Sequence, residues 1–205
     1  MCQALYFLRH GATAEDPPLL KGHRIDPPLS REGHARIRAW AEKLASIPFQ
    51  AVIYTPTRRA RETASYFLAP PRKALELPQL MELSWGAWEG LPRAQAESLL
   101  QDQLRRWDQG DINWSPPQGE SLKSFQERLL VGYELVLSLF PVGALLIIGH
   151  GYSLRVLLSW LLGYSPGTES ALFHHAPGTL SWGIRNPNGT FYLQSLAISP
   201  DDWVF

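Results

Sequence analysis

Two histidines and a run of arginines stand out because each follows a short apolar stretch. Residues 4–8 run into Arg9-His10-Gly11, residues 51–54 into Thr55-Pro56-Thr57-Arg58-Arg59, and residues 144–148 into Gly149-His150-Gly151. Guanidinium groups bind a dianionic phosphate through paired N–H donors, and a neutral imidazole is a competent phosphoryl acceptor. Neighbouring guanidiniums oppose a second proton on the ring, which keeps that imidazole neutral. In such chemistry His10 is the nucleophile, while Arg9, Arg59 and His150 supply donors to the equatorial oxygens of the transferring group. An acid must then protonate the departing oxygen.

Bringing these residues together requires a particular architecture. The three apolar runs are too short for helices, and the third, almost wholly apolar, suits a parallel strand covered on both faces. Helices fall between them. Ile37, Trp40, Ala41 and Leu44 step at helical spacing after Ser30, a good N-cap, and Pro48 closes the segment. Thr55 as cap with Pro56 in the first turn opens the arginine helix. Leu122, Phe125, Leu129, Tyr133, Val136 and Phe140 mark a long amphipathic helix capped by Ser121, and residues 154–162 form an apolar one. Near the end, Leu180, Trp182 and Ile184 alternate before Asn186-Pro187-Asn188-Gly189 and a further strand at 190–196, an antiparallel hairpin. The expected fold is α/β: one domain over residues 1–205, three layers α/β/α, with a mainly parallel sheet plus that C-terminal hairpin. Ligands of such sheets sit beyond the carboxyl ends of the strands, where His10, the arginine pair and His150 would converge.

Composition narrows the partner. The chain has 205 residues, 45% of them hydrophobic, which is enough for a substantial core and excludes a disordered chain. Lys and Arg number 19 and so do Asp and Glu, so bulk charge holds the protein to neither nucleic acid nor membrane. The expected partner is a small-molecule phosphate ester held by local charge. One cysteine, Cys2, allows no internal disulfide and no thiolate cluster, and no positive leader precedes a long apolar core. A cytoplasmic location is expected. The longest apolar region, 135–149, is broken by Pro141 and Gly143 and falls short of the ~20 residues a membrane helix needs. Trp203-Val204-Phe205 is a candidate contact patch for a homodimer.

Leu8-Arg9-His10-Gly11-Ala12-Thr13 resembles the signature of the histidine phosphatase superfamily, the phosphoglycerate-mutase-like phosphatases. Other segments agree in order: Asp26-Pro27-Pro28-Leu29-Ser30 with Gly33, the arginine helix from Thr55 to Ala64, the acidic loop 82–90, Gly119-Glu120-Ser121, and Gly149-His150-Gly151. The resemblance covers residues 5 to about 162. It implies that Arg59 rather than Arg58 is the phosphate-binding arginine, because Arg59 directly precedes Ala60 and stands four residues before Thr63. It implies that Glu82 is the proton donor, acting as general acid and then as general base on water. His150 matches the second family histidine, Gly151 permits close backbone approach, and Thr13 and Gly22 fall near phosphate or substrate contacts. A phosphohistidine intermediate follows, with no metal and no cofactor. Phosphoglycerate mutases carry Trp-Asn shortly after the first glycine and a long insertion after the acidic loop. This chain has Ala14-Glu15-Asp16-Pro17 and a short 90–119 segment, which resembles the shorter branch of α-ribazole and broad-specificity phosphatases.

Other readings of the same residues stay open here. Glu89 is a rival acid to Glu82. Trp85, Trp88 and Trp114 line either a pocket or the core, His23 and the His174-His175 pair border the cleft or stand apart, and His34 lies on a solvated helix face. Loops 14–28, 85–118 and 165–178 set pocket shape. Three rival functions are mutase-type phosphoryl transfer, a non-catalytic phospholigand-binding module, and a metal hydrolase. The last lacks His-x-His or His-Glu-x-x-His spacing, and its cation would be repelled by the strand-end arginines.

Overall fold

Burial along the first strand alternates between two cores, and that alternation defines the layers. The computed structural model describes residues 2–14 and 18–203. In β1 (Gln3–Arg9), Leu5 and Phe7 enter one apolar cluster while Tyr6 and Leu8 enter the other, the period-two signature of a strand buried on both faces. The sheet has six strands in the order β3-β2-β4-β1-β5-β6, with β2 at Phe49–Tyr54, β3 at Lys73–Glu76, β4 at Gly143–Gly149, β5 at Leu180–Arg185 and β6 at Phe191–Ile198. The first four run parallel, whereas β5 is antiparallel to both β1 and β6. Among the described residues five α-helices complete the fold: α1 (Arg31–Lys43), α2 (Arg58–Ala64), α3 (Arg93–Asp108), α4 (Leu122–Leu139) and α5 (Gly151–Leu162). Ile37 and Trp40 of α1 and Ala60 and Ala64 of α2 join the core on one face of the sheet, and residues of α3, α4 and α5 fill the other. This is the expected three-layer α/β arrangement with its C-terminal antiparallel hairpin.

Local chemistry sets the helix starts. Ser30 and Ser121 cap α1 and α4 as their sequence suggests, accepting from the amides of Gly33 and Ser124. The cap of α2 is a correction: Thr57, not Thr55, accepts from the amide of Ala60. Thr55 stays in extended backbone after β2, and its hydroxyl is committed elsewhere. Strand β2 also begins two residues before the apolar run, through a register irregularity between Phe49 and Ala51.

Two elements carry too little apolar signal to be read from sequence. Edge strand β3 is four residues long with Lys73 and Glu76 at its ends, the short charged edge that discourages further pairing. Helix α3 buries Ala96, Leu100, Gln103 and Trp107, a stripe diluted by an alanine and an amide. Much of the expected 85–118 loop is therefore helix. A second correction concerns the C-terminal patch. Trp203 packs against Trp40 and Tyr6 in the core at 9% exposure, while Val204 and Phe205 lie outside the described residues. Among the described residues no helix is long and apolar enough to cross a membrane.

Candidate active site

Parallel register brings the two histidines together. Arg9 of β1 lies opposite Gly149 of β4, and Tyr54 of β2 opposite Ile148, so the next residues of all three strands emerge on one rim. His10 donates its backbone N–H to Gly149 O at 3.1 Å, and its ring centroid stands 5.2 Å from that of His150. Antiparallel β5 enters the sheet from the same end, and Gly178 N donates to His10 O at 3.0 Å. The 174–179 segment is thereby clamped against the rim.

His10 is 2% exposed, and its Nδ1 lies 2.8 Å from the carbonyl of Gly11. A carbonyl only accepts, so Nδ1 carries the hydrogen and Nε2 keeps the lone pair. Burial above all, then Arg59 and Arg9, hold the ring's pKa well below the ordinary value of 6.5. The imidazole is neutral, with its lone pair on Nε2. His150, fully buried, is depressed in the same direction by burial first and then by Arg59, His10 and Arg9.

Two arginines flank the histidines. The Arg9 guanidinium donates to the carbonyl of His175, and burial lowers its pKa to about 10, which leaves it charged at neutral pH. It rests on Gly151, where an added Cβ would come within 3.2 Å of its Cζ. Arg59 is 1% exposed; Nη1 donates to Asp26 Oδ1 at 2.8 Å and Ile25 O at 3.1 Å, and Nη2 to Gly22 O at 3.0 Å. Thr63, one turn later on α2, donates to Arg59 O and accepts from Gly11 N at 3.1 Å, which ties the His10 loop to the arginine helix. Arg58 points outward and pairs with Glu62. Nε of Arg9, Nε of Arg59 and Nδ1 of His150 are buried without a hydrogen-bond partner among the described residues.

The two acidic candidates part company. Glu82 lines the cleft at 6% exposure, its Oε1 accepting from the amides of Leu83, Tyr152 and Ser153 and its Oε2 from Tyr152 alone at 3.0 Å. Oε2 is the oxygen with capacity left for a proton. Glu89 spends both oxygens on backbone, accepting from His23 N at 3.0 Å and Arg24 N at 2.7 Å. Gly22 threads past it, since a Cβ there would sit 2.3 Å from Glu89 Oε1 and 2.9 Å from Leu83 O. Glu89 braces the loop that Arg59 holds. His23 braces it too, with Nε2 donating to Glu82 O at 2.7 Å.

A cleft of about 340 Å³ opens over these groups, walled by Arg9, His10, Arg59, Glu82 and Gly151. His150 lies beneath it. Of the other sequence candidates, Trp85 and His174 reach the wall. Thr13 is bridged to Leu29 and is not part of that wall, and Trp88 and Trp114 pack on each other at 5.7 Å away from it. His175 is buried, bonded to Phe173 O and Ser181 Oγ. His34, half-exposed on α1, meets the Tyr66 hydroxyl. Lys21, Arg93, Tyr152 and Arg155 are further polar residues of the lining that the sequence does not single out, and Pro18, Leu19, Leu20 and Pro177 complete it. Arg155 alone carried a signal, five residues after His150 on the apolar face of α5.

A family model described as histidine phosphatase superfamily (branch 1) matches residues 5–197. This chain belongs to that superfamily. Among relatives of this superfamily member, the bifunctional protein Rv2228c of Mycobacterium tuberculosis is 31% identical over 80% of the chain, and the chain spans 45% of that relative's length. The probable phosphoglycerate mutase GpmB of Yersinia enterocolitica is 29% identical over 95% of the chain and 96% of its own length. The crystal structure of the α-ribazole phosphatase of Shigella flexneri shares the fold, with a TM-score of 0.79 at 23% identity over 95% of this chain and 96% of that one.

Proposed function

We propose that the protein is a cytoplasmic, metal-independent phosphomonoesterase that hydrolyses a small phosphorylated metabolite through a phosphohistidine. The observation that carries this reading is His10: a buried neutral imidazole, fixed through Nδ1 by Gly11 O, with its Nε2 lone pair free at the floor of a cationic cleft. Nε2 attacks phosphorus; the N–P bond forms as the bond to the departing oxygen breaks. Arg9, Arg59 and His150 hold the equatorial oxygens, using donors the protein leaves without partners. Gly151 keeps the Arg9 guanidinium at the cleft, and Gly22 holds Arg59 through its carbonyl. Glu82 gives the leaving group a proton from Oε2, then takes one from the water that attacks the phosphohistidine and releases phosphate.

Thr13, bridged to Leu29, sits outside this scheme. Hydrolysis is favoured over mutase transfer because the 90–119 segment is short and mostly taken up by α3. A homodimer is compatible with this reading but is not required by it. The test is phosphate release from an aryl phosphate by wild type and His10→Ala, in excess chelator. We expect release to survive chelation and to vanish in His10→Ala, with loss of acid-labile phosphoenzyme and an unchanged fold. A His10→Ala rate near wild type would overturn the assignment, and loss on chelation would restore the metal hydrolase.

A further inference from the structure

Thr55 is the residue that the sequence assigns to a helix cap and that the structure uses otherwise. Its side chain is buried at the end of β2, with Oγ1 2.8 Å from His150 Nε2 and 3.2 Å from Thr57 Oγ1. Thr57 in turn accepts from Ala60 N as the cap of α2. Thr55, Thr57 and His150 are all almost wholly buried, so each hydroxyl hydrogen in this chain needs an acceptor within it. Two directions are conceivable. If His150 Nε2 donated to Thr55 and Thr55 to Thr57, the buried Thr57 hydroxyl would have no acceptor, and His150 Nδ1 would present a bare lone pair toward the cleft floor. If Thr57 donates to Thr55 and Thr55 to His150 Nε2, each hydroxyl has both its donor and its acceptor role used. His150 then carries its hydrogen on Nδ1, a buried atom that forms no hydrogen bond within the protein: the nearby Ser153 N, on the first turn of α5, spends its one hydrogen on Glu82 Oε1 at 3.1 Å.

We propose that Thr55, oriented by Thr57, is a positioning residue that fixes His150 as the Nδ1–H tautomer and so presents a donor, not a lone pair, to a phosphoryl oxygen. The consequence for phosphate rests on the proposed function; the tautomer does not. A phosphoryl oxygen accepts hydrogen bonds, so a lone pair facing it is repulsive, while an N–H from a neutral ring is attractive throughout phosphoryl transfer. The arginine-helix segment thus serves the site twice. It delivers Arg59 directly, and through Thr55 it sets which nitrogen of His150 faces the substrate.

Ring-nitrogen NMR of 15N-histidine-labelled protein reads the tautomer directly, with the His150 signals identified by their loss in His150→Asn. In wild type we expect Nδ1 protonated and Nε2 bare. Thr55→Val keeps the shape and removes the hydroxyl; it should lose this preference and slow phosphate release by about tenfold or more, a change of about 1.4 kcal/mol in the barrier. Thr55→Ser should restore both. A protonated Nε2 in wild type, or Thr55→Val with an unchanged tautomer and rate, would overturn the proposal. The wild-type spectrum decides even if Thr55→Val does not fold. Failure of the phosphatase reading shows separately, as activity retained by His10→Ala.

Discussion

The carboxylate of Glu82 sits on the N-terminus of α5, where its Oε1 accepts the backbone N–H of Ser153 at 3.1 Å. Leu83 N and Tyr152 N converge on the same oxygen. Helix N-termini present unpaired N–H groups and a partial positive charge, so a carboxylate there is held without a side-chain partner. The next residue before that helix is His150. One helix start therefore registers the proposed acid and the second histidine relative to each other, and through β4 and β1 relative to His10.

Replacing Glu82 tests the proton role. A glutamine in its place retains an acceptor for the α5 amides and cannot give up a proton. Glu82→Gln should slow hydrolysis of an alkyl phosphate by roughly 10²- to 10⁴-fold, the usual worth of a general acid, and slow an aryl phosphate far less. Glu89→Gln should show no such dependence on the leaving group, because Glu89 is committed to His23 N and Arg24 N. The measurement is kcat/KM on both esters for both variants, which reads departure of the leaving group and not the hydrolysis of the phosphohistidine that both esters share. Equal losses on the two esters in Glu82→Gln would remove Glu82 from the acid role.

The sequence made His10, Arg59 and His150 legible because each lies just past a strand whose apolar run is unmistakable, and a parallel sheet sends such ends to one rim. Glu82 lies in a loop with no periodic signal; only the resemblance marks it. Thr55 carries a cap signal in the sequence, Thr-Pro, but Thr57, two residues on, is an equally good cap nearer the helix and takes the role. Trp203 begins an apolar tripeptide that suggests a surface patch, yet it folds back on Trp40 and Tyr6. Contacts of that range, like those of Arg128 with the 79–82 backbone, leave no local pattern.

Buried neutral histidines make stability depend on pH. Burial holds His10 and His150 well below 6.5, and holds His175 at about 4. In the unfolded chain each takes up a proton near pH 6.5, so below that pH the unfolded state binds more protons than the native one. Their stabilising contribution is complete above pH 6.5 and is lost as pH falls toward the folded-state values. The slope approaches about 1.4 kcal/mol per pH unit for each histidine. Carboxylates held low by arginines, such as Glu76 and Asp102, lose their contribution only below their own unfolded values of 4.5 and 3.8. Melting temperature measured from pH 7.5 to 5 should therefore fall below pH 6.5 before any carboxylate titrates. A flat profile across that window would contradict neutral burial of these rings.

Arg128 of α4 is the structural tie beneath Glu82. Its guanidinium takes both oxygens of Glu120, at 2.9 and 2.7 Å, and donates to the carbonyls of Gln79, Met81 and Glu82 at 2.8, 3.1 and 3.1 Å. Five acceptors on one planar fork cannot be met by a lysine, which offers three donors from a single point. Arg128→Lys should cost on the order of 2–3 kcal/mol in urea unfolding, and Arg128→Met more, because it also strands the half-buried Glu120 carboxylate. Both variants release the Glu82 carbonyl, so kcat/KM on an alkyl phosphate should fall further than kcat/KM on an aryl one. Wild-type stability and an unchanged alkyl-to-aryl ratio in Arg128→Lys would show that the 79–82 segment is held by its own packing, on Leu80 and Leu83, and not by this arginine.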